Sequence, residues 1–177
     1  MAGGETLSSK LIFSGRAVRL RVDTVRMSDG RETTREIVEH DDCVAVVAVD
    51  GDDLLLVKQF REAVGKEMLE IPAGGIDQDE MPEDAVRREM REETGFLPGK
   101  VVHLGGFYSS PGYADEYLHL YLATDLVSKP LRAEDTDSIV LVRMKPEEVM
   151  KALKSGGIVD AKSIAGLFSY FEYIKTH

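Results

Sequence analysis

The chain has 177 residues, 43% of them hydrophobic and 31% charged, which is enough to bury a core without disulfide or metal staples and makes one domain the default. Thirty-two acidic against 22 basic residues leave a net charge of -10, which argues against a nucleic-acid duplex as partner, because that affinity rests on cationic contacts with phosphates. No run approaches the ~18 consecutive apolar residues of a membrane span.

The opening Met1-Ala2-Gly3-Gly4-Glu5 has neither the basic nor the apolar region of a secretory signal. Val18, Leu20 and Val22 then alternate, Ser28-Asp29-Gly30 forms a turn, and Thr33 to Val38 returns as a second strand, a hairpin pattern. The run from Cys43 to Val49 is apolar without alternation, as in a strand buried on both faces. Cys43, the only cysteine, reads as a small buried hydrophobe and suits a reducing compartment, so the expected location is cytoplasmic. Asp50-Gly51-Asp52-Asp53 turns the chain into a strand at Leu54 to Val57. Further strands are predicted at Val101 to Phe107, Tyr117 to Ala123 and Ile139 to Met144.

Three helices are predicted. Pro82 to Thr94 has proline at its first position and Gly95 just past its end. Pro146 to Lys154 opens the same way and runs into Gly156-Gly157. In Ala161 to Lys175 the residues Ile164, Leu167, Phe168, Phe171 and Ile174 form a stripe expected to face a core. Strands and helices interspersed without strict βαβ alternation give an α+β fold, or helices sandwiching a mixed sheet.

The chemistry concentrates in the helix at 82–94. Glu89 and Glu93 lie four apart and project from one face, with Glu92 beside them. Like charges at that spacing destabilise an isolated helix. Arg88 and Arg91 offset part of the repulsion, and a divalent cation is the natural complement, carboxylates with carbonyls and waters suiting Mg²⁺. Glu89 and Glu93 alone also fit a solvated charged face. The wider spacing is more telling: Gly74, five residues, Glu80, seven residues, then Arg88-Glu89-Met90-Arg91-Glu92-Glu93-Thr94-Gly95-Phe96.

That arrangement resembles the Nudix hydrolase signature at every specified position. The resemblance implies a Nudix fold, a mixed sheet between helices, and a loop–helix–loop whose carboxylates hold Mg²⁺, with Mn²⁺ as substitute, against a pyrophosphate. Glu89 and Glu93 are then expected as direct metal ligands, Glu92 as ligand or base, Arg88 as the group orienting the carboxylates, and Glu80 as support for the loop. The backbone carbonyl of Ala73 is a ligand in similar enzymes, Glu70 is placed to reach a metal, and Gly74 permits a tight backbone path.

From about Phe13 onward the chain is similar to the ADP-ribose pyrophosphatase branch of that superfamily. The matching segments are Thr34 to His40, Val57 to Arg61, Leu69 to Gly74, Phe107 to Glu116 and Asp160-Ala161-Lys162. Pro111, sixteen residues after Gly95, stands where this branch has proline and the dinucleoside-polyphosphate branch has tyrosine. Arg61 follows a buried strand, where a guanidinium can grip phosphate or a ribose hydroxyl. Ser110-Pro111-Gly112 would form a rigid loop beside the substrate, with Glu116 hydrogen-bonding hydroxyls there. In this branch the early strand carrying Arg35 and Glu36 packs across a swapped homodimer and contacts the neighbour's nucleotide.

The branch usually carries an acidic loop before its last strand. Here it reads Glu134-Asp135-Thr136-Asp137-Ser138, with a shorter side chain at Asp137 and Val140 at the next acidic position. Either Glu134 or Asp137 takes the catalytic role, or the base is Glu92. The expected organisation is an N-terminal β-hairpin extension over residues 1–40, dimer-forming, and a hydrolase domain over 41–177. The expected reaction is Mg²⁺-dependent hydrolysis of ADP-ribose to AMP and ribose 5-phosphate. Alternatives are another nucleoside-diphosphate sugar, such as GDP-mannose or UDP-glucose, or a non-catalytic nucleotide-binding regulatory domain. His40, His103, His119 and His177 show no ligand spacing and are read as structural.

Overall fold

A computed structural model describes residues 4–133 and 138–176. The chain forms two compact units, Met1–Asp42 with Tyr108–Tyr117, and Cys43–Phe107 with Leu118–His177.

In the first unit, β1 (Glu5–Ser14), β2 (Arg19–Arg26) and β3 (Glu32–Glu39) make an antiparallel sheet in that order. The predicted hairpin is β2–β3, closed where the Gly30 N–H donates to the Met27 carbonyl at 2.9 Å and Asp29 accepts from the Arg31 N–H. β1 was not legible in the sequence. All ten of its residues are exposed, so no buried face imposes a period of two on it. The segment around 110–115 docks on β3 through Val38 N–H to Tyr113 O (2.8 Å), Asp115 N–H to Val38 O (3.2 Å) and His40 N–H to the Asp115 carboxylate (2.9 Å).

The second unit is built on β4 (Cys43–Asp50), β5 (Asp53–Arg61), β6 (Lys66–Glu70), β7 (Ala73–Gly75), β8 (Phe96–Tyr108), β9 (Tyr117–Ser128) and β10 (Val140–Met144). The sheet runs β10-β5-β4-β9-β8, with β6 on β5 and β7 on β4. Since β4 pairs parallel with β9 and antiparallel with β5 and β7, the sheet is mixed. Three helices pack on it, α1 (Pro82–Glu89), α2 (Pro146–Ser155) and α3 (Ala161–Tyr173).

The apolar run of β4 explains the layering. Cys43, Ala45 and Val47 join a core with Val149 of α2 and with Leu167 and Tyr170 of α3. Val44, Val46 and Ala48 join a separate core with Ala85 and Val86 of α1 and with Met90. Successive strand side chains point to opposite faces, so one apolar run serves two cores and places helices on both sides of the sheet.

Two expectations need correction. The helix expected over Pro82–Thr94 is an α-helix only to Glu89 and continues as a π-helical turn, Met90–Thr94, before Gly95 ends it in the left-handed conformation (φ 80°). The expected core stripe of α3 holds in part: Leu167 is buried and Ile164 and Phe171 pack against the core, while Phe168 and Ile174 are exposed. Counting apolar residues favoured Phe168, but the face against the sheet is set by Ser163, Gly166, Leu167 and Tyr170, two of them small or polar. The short strands β6 and β7 carried too few residues to show a pattern. No helix among the described residues is long and apolar enough to cross a membrane.

Candidate active site

The site begins at a close approach of backbone and carboxylate. Leaving β6, the chain runs through Ile71-Pro72 into β7, where Ala73 and Gly74 pair with Ala45 and Val44 of β4. Glu89, the last residue of α1, lays its carboxylate against Gly74: a Cβ at position 74 would sit 2.1 Å from the Glu89 carboxylate. One turn on, Glu93 accepts the Ala73 N–H at 3.0 Å. Two carboxylates from one helix therefore converge on the two-residue segment Ala73-Gly74.

Their electrostatics follow from burial. Loss of solvent, then the charge of Glu89, pushes Glu93 up to about 8, while the Ala73 N–H, Lys162 and Arg61 pull the other way. Burial likewise raises Glu89, against the opposing hydrogen bond and charge of Arg88.

Arg88 organises the other side of the cluster. Its Nε and one terminal nitrogen form a fork onto Glu80 at 2.9 and 2.7 Å, and the same terminal nitrogen donates to the Gly75 carbonyl at 2.7 Å. The second terminal nitrogen reaches Glu89 at 2.5 Å and Glu92 at 3.3 Å. The fork drives Glu80 below the usual carboxylate range and raises Arg88 further. One guanidinium thus ties the loop after Gly74 to three glutamates of the motif.

Glu70, at the end of β6, is 1% exposed and carries three charge-assisted contacts. Arg61 at the end of β5 grips it with two parallel bonds, Nε at 2.9 Å and a terminal nitrogen at 2.7 Å, and Lys162 of α3 bonds one of the same oxygens. Burial opposes ionisation here, but the Arg61 bonds and the Lys162 charge hold Glu70 below the ordinary range. Lys162 also bonds Asp160, at 2.9 Å, and Asp160 caps α3 by accepting the Ser163 N–H. The segment Asp160-Ala161-Lys162 matches the branch, but its residues alone give it no role. Nothing in the spacing of Lys162 reveals that it folds back 92 residues onto Glu70.

Of the residues expected at the substrate, Arg35, Glu36, Pro111 and Gly112 are brought together within the first unit. They line one hollow of about 300 Å³ with Arg21, Ile37, Tyr113, Ala114 and Asp115. Glu116 lies half-buried, one oxygen 3.8 Å from Nδ1 of His40. Glu134 and Asp137, the loop candidates for the catalytic base, lie outside the described residues.

As a whole, Glu89 and Glu93 are an oxygen-rich pair, desolvated and mutually repelling, with Glu92 and the Ala73-Gly74 backbone beside them. The donor set is all hard oxygen, and burial pushes both converging carboxylates up. It fits a divalent cation such as Mg²⁺.

Comparison with known proteins agrees with this arrangement. The family model described as NUDIX domain matches residues 39–167, and that of the nucleoside diphosphate sugar hydrolase N-terminal domain matches residues 5–38. An ADP-ribose pyrophosphatase of Bacillus subtilis (strain 168) is 39% identical over 162 residues, covering 90% of this chain and 88% of that protein. An ADP-ribose pyrophosphatase of Mycobacterium tuberculosis is 35% identical over 169 residues, covering 93% and 82%. A solved structure titled as that of an ADP compounds hydrolase superposes with a TM-score of 0.91 at 21% identity, covering 99% of this chain and 96% of that one, and shares the fold. With a complete motif folded into a converging carboxylate cluster and the two family models together matching residues 5–167, the chain belongs to the Nudix hydrolases, in their ADP-ribose pyrophosphatase branch, and is a Nudix pyrophosphohydrolase.

Proposed function

We propose that the chain hydrolyses the pyrophosphate bond of ADP-ribose, giving AMP and ribose 5-phosphate, with Mg²⁺ as its metal and Mn²⁺ as a substitute. The observation that carries this reading is the convergence of Glu89 and Glu93 on Ala73-Gly74. The names of these relatives and the Pro111 neighbourhood support the substrate.

In this reading Glu89, Glu93 and the Ala73 carbonyl would hold the cation, with Glu92 alongside. When bound, it neutralises the bridging phosphates and lowers the pKa of a nearby water. Water oxygen forms a bond to one phosphorus, the bridging P–O bond breaks, and the other phosphate leaves. Glu92 is the described carboxylate offered as acceptor of the proton. Arg88 holds it in place from 3.3 Å. Arg35, Glu36, Pro111, Gly112 and Glu116 are assigned to the nucleoside and ribose, since four of them share one hollow whose mixed charges suit hydroxyls and a base edge. A homodimer is part of the proposal: Leu11, Ile12 and Phe13 of β1 are each at least half exposed, an apolar edge that a second copy would cover.

The test is incubation with ADP-ribose and Mg²⁺ followed by product identification, beside GDP-mannose and UDP-glucose. AMP with ribose 5-phosphate and the highest kcat/KM for ADP-ribose is expected. A higher kcat/KM for another sugar reassigns the substrate, and no AMP from ADP-ribose sinks the proposal.

A further inference from the structure

We propose that the first turn of α3, through Lys162, is a positioning clamp for the carboxylate cluster, and that Glu70 is its anchor rather than a metal ligand. This rests on the hydrolase reading above.

The geometry is a chain of short links. Both oxygens of Glu70 face cations, one receiving Arg61 Nε and the other receiving Arg61 and Lys162. A carboxylate neutralised by two positive charges is a poor ligand for a divalent cation and a strong tether. The next residue, Ile71, donates its N–H to Ser163 Oγ at 2.8 Å, and Ser163 Oγ donates onward to Asp160 at 2.6 Å. α3 also lies flat on this segment: a Cβ at Gly166 would meet Ile71 Cδ1 at 2.7 Å.

Ile71 is two residues from Ala73, whose N–H holds Glu93, and three from Gly74, which accommodates Glu89. Strand pairing fixes Ala73 and Gly74 to β4 on one side only. The α3 turn adds a hold on the entry to that segment at Ile71, beside the bond from the Val46 N–H of β4 to the Pro72 carbonyl at 2.9 Å. Lys162 is therefore a positioning residue: it makes no hydrogen bond to Glu89 or Glu93 among the described contacts, its charge reaches Glu93 only from a distance, and its bonds hold Glu70 and the 70–74 backbone. Removing its charge leaves Glu70 buried against Arg61 alone and loosens the path to Glu93.

The experiment compares wild type with Lys162→Met, Lys162→Arg and Ser163→Ala. Mg²⁺ affinity is read by calorimetric titration without substrate, together with kcat, KM and thermal midpoints. Lys162→Met is expected to weaken Mg²⁺ affinity about tenfold and lower kcat by about 10- to 100-fold with little change in KM, the range seen when groups supporting ligands are removed. Lys162→Arg is expected to recover most of both losses. Ser163→Ala, which removes a single link, is expected to shift them in the same direction by a few-fold and keeps the proposal testable should Lys162→Met not fold. A lowered midpoint with unchanged Mg²⁺ affinity and kcat overturns the clamp, as does a Ser163→Ala variant that binds Mg²⁺ like wild type. Loss of Mg²⁺ binding in Glu70→Gln equal to that in Glu89→Gln, with Lys162→Met unaffected, makes Glu70 a ligand and overturns the anchor. If no nucleoside-diphosphate substrate is turned over, the hydrolase reading fails, and the Mg²⁺ titrations still decide the clamp.

Discussion

Gly74 is a glycine because of space rather than backbone angle. It is absent from the positive-φ residues, while the position of its missing Cβ is filled by the carboxylate of Glu89. In Gly74→Ala the methyl and the carboxylate cannot share that volume, so Glu89 must turn away. Displacement on the order of 1 Å at a reacting site costs about 100-fold, so kcat/KM is expected to fall by about that factor with the far-ultraviolet spectrum unchanged. Glu93 makes a second prediction, in pH. Its ordinary value is 4.5 and burial holds it at about 8 in the fold. The folded state thus binds the extra proton between those limits, and metal-free stability is full below about 4.5 and lost as pH rises through about 8. Glu93→Gln removes the charge that burial penalises. Without metal the variant is expected to melt roughly 3 °C or more above wild type at pH 8, with the gap closing near pH 5. A constant gap across that range would assign the effect to packing.

Among the elements, the π-helical turn Met90–Thr94 deserves comparison with the straight helix its sequence suggests. Proline at the start and glycine at the end delimit the helical stretch correctly, but the switch at Met90 is invisible in the pattern, because π turns differ from α-helix in hydrogen bonding and not in composition. The turn is held from outside: Arg91 Nε donates to the Lys129 carbonyl at 3.0 Å, Leu131 N–H donates to Arg91 O at 3.1 Å, and Lys129 N–H donates to Gly95 O at 2.9 Å. Those partners lie 34 or more residues away in sequence, beyond the reach of any local signal. Gly95→Ala places a side chain in the left-handed region at φ 80° and is expected to cost about 1 kcal/mol. Thermal unfolding reads that cost, and a Gly95→Asn variant is expected to lose less, since asparagine tolerates this conformation. β1 shows the opposite kind of illegibility. It is an element whose pattern is weak because the single chain leaves it exposed along its whole length.

For the molecule as a whole, that exposure is the basis of an oligomer prediction. Leu11 at 58% and Phe13 at 55% exposure are costly to leave in water, and a second copy is the occupant we propose. Light scattering at micromolar concentration is expected to give twice the chain mass, and Leu11→Asp with Phe13→Asp to give one. A wild-type monomer would remove the homodimer from the proposal. The sequence by itself determined the metal-binding motif, the two-faced burial of β4 and the helix boundaries at Pro82, Gly95 and Pro146, because each is written in neighbouring residues as a spacing, a period or a cap. Only the tertiary structure decided why Gly74 has no side chain, where Lys162 goes, and that Arg61 is bonded to Glu70. These depend on contacts across 9 to 92 residues, where direction in space, rather than order along the chain, chooses the partner.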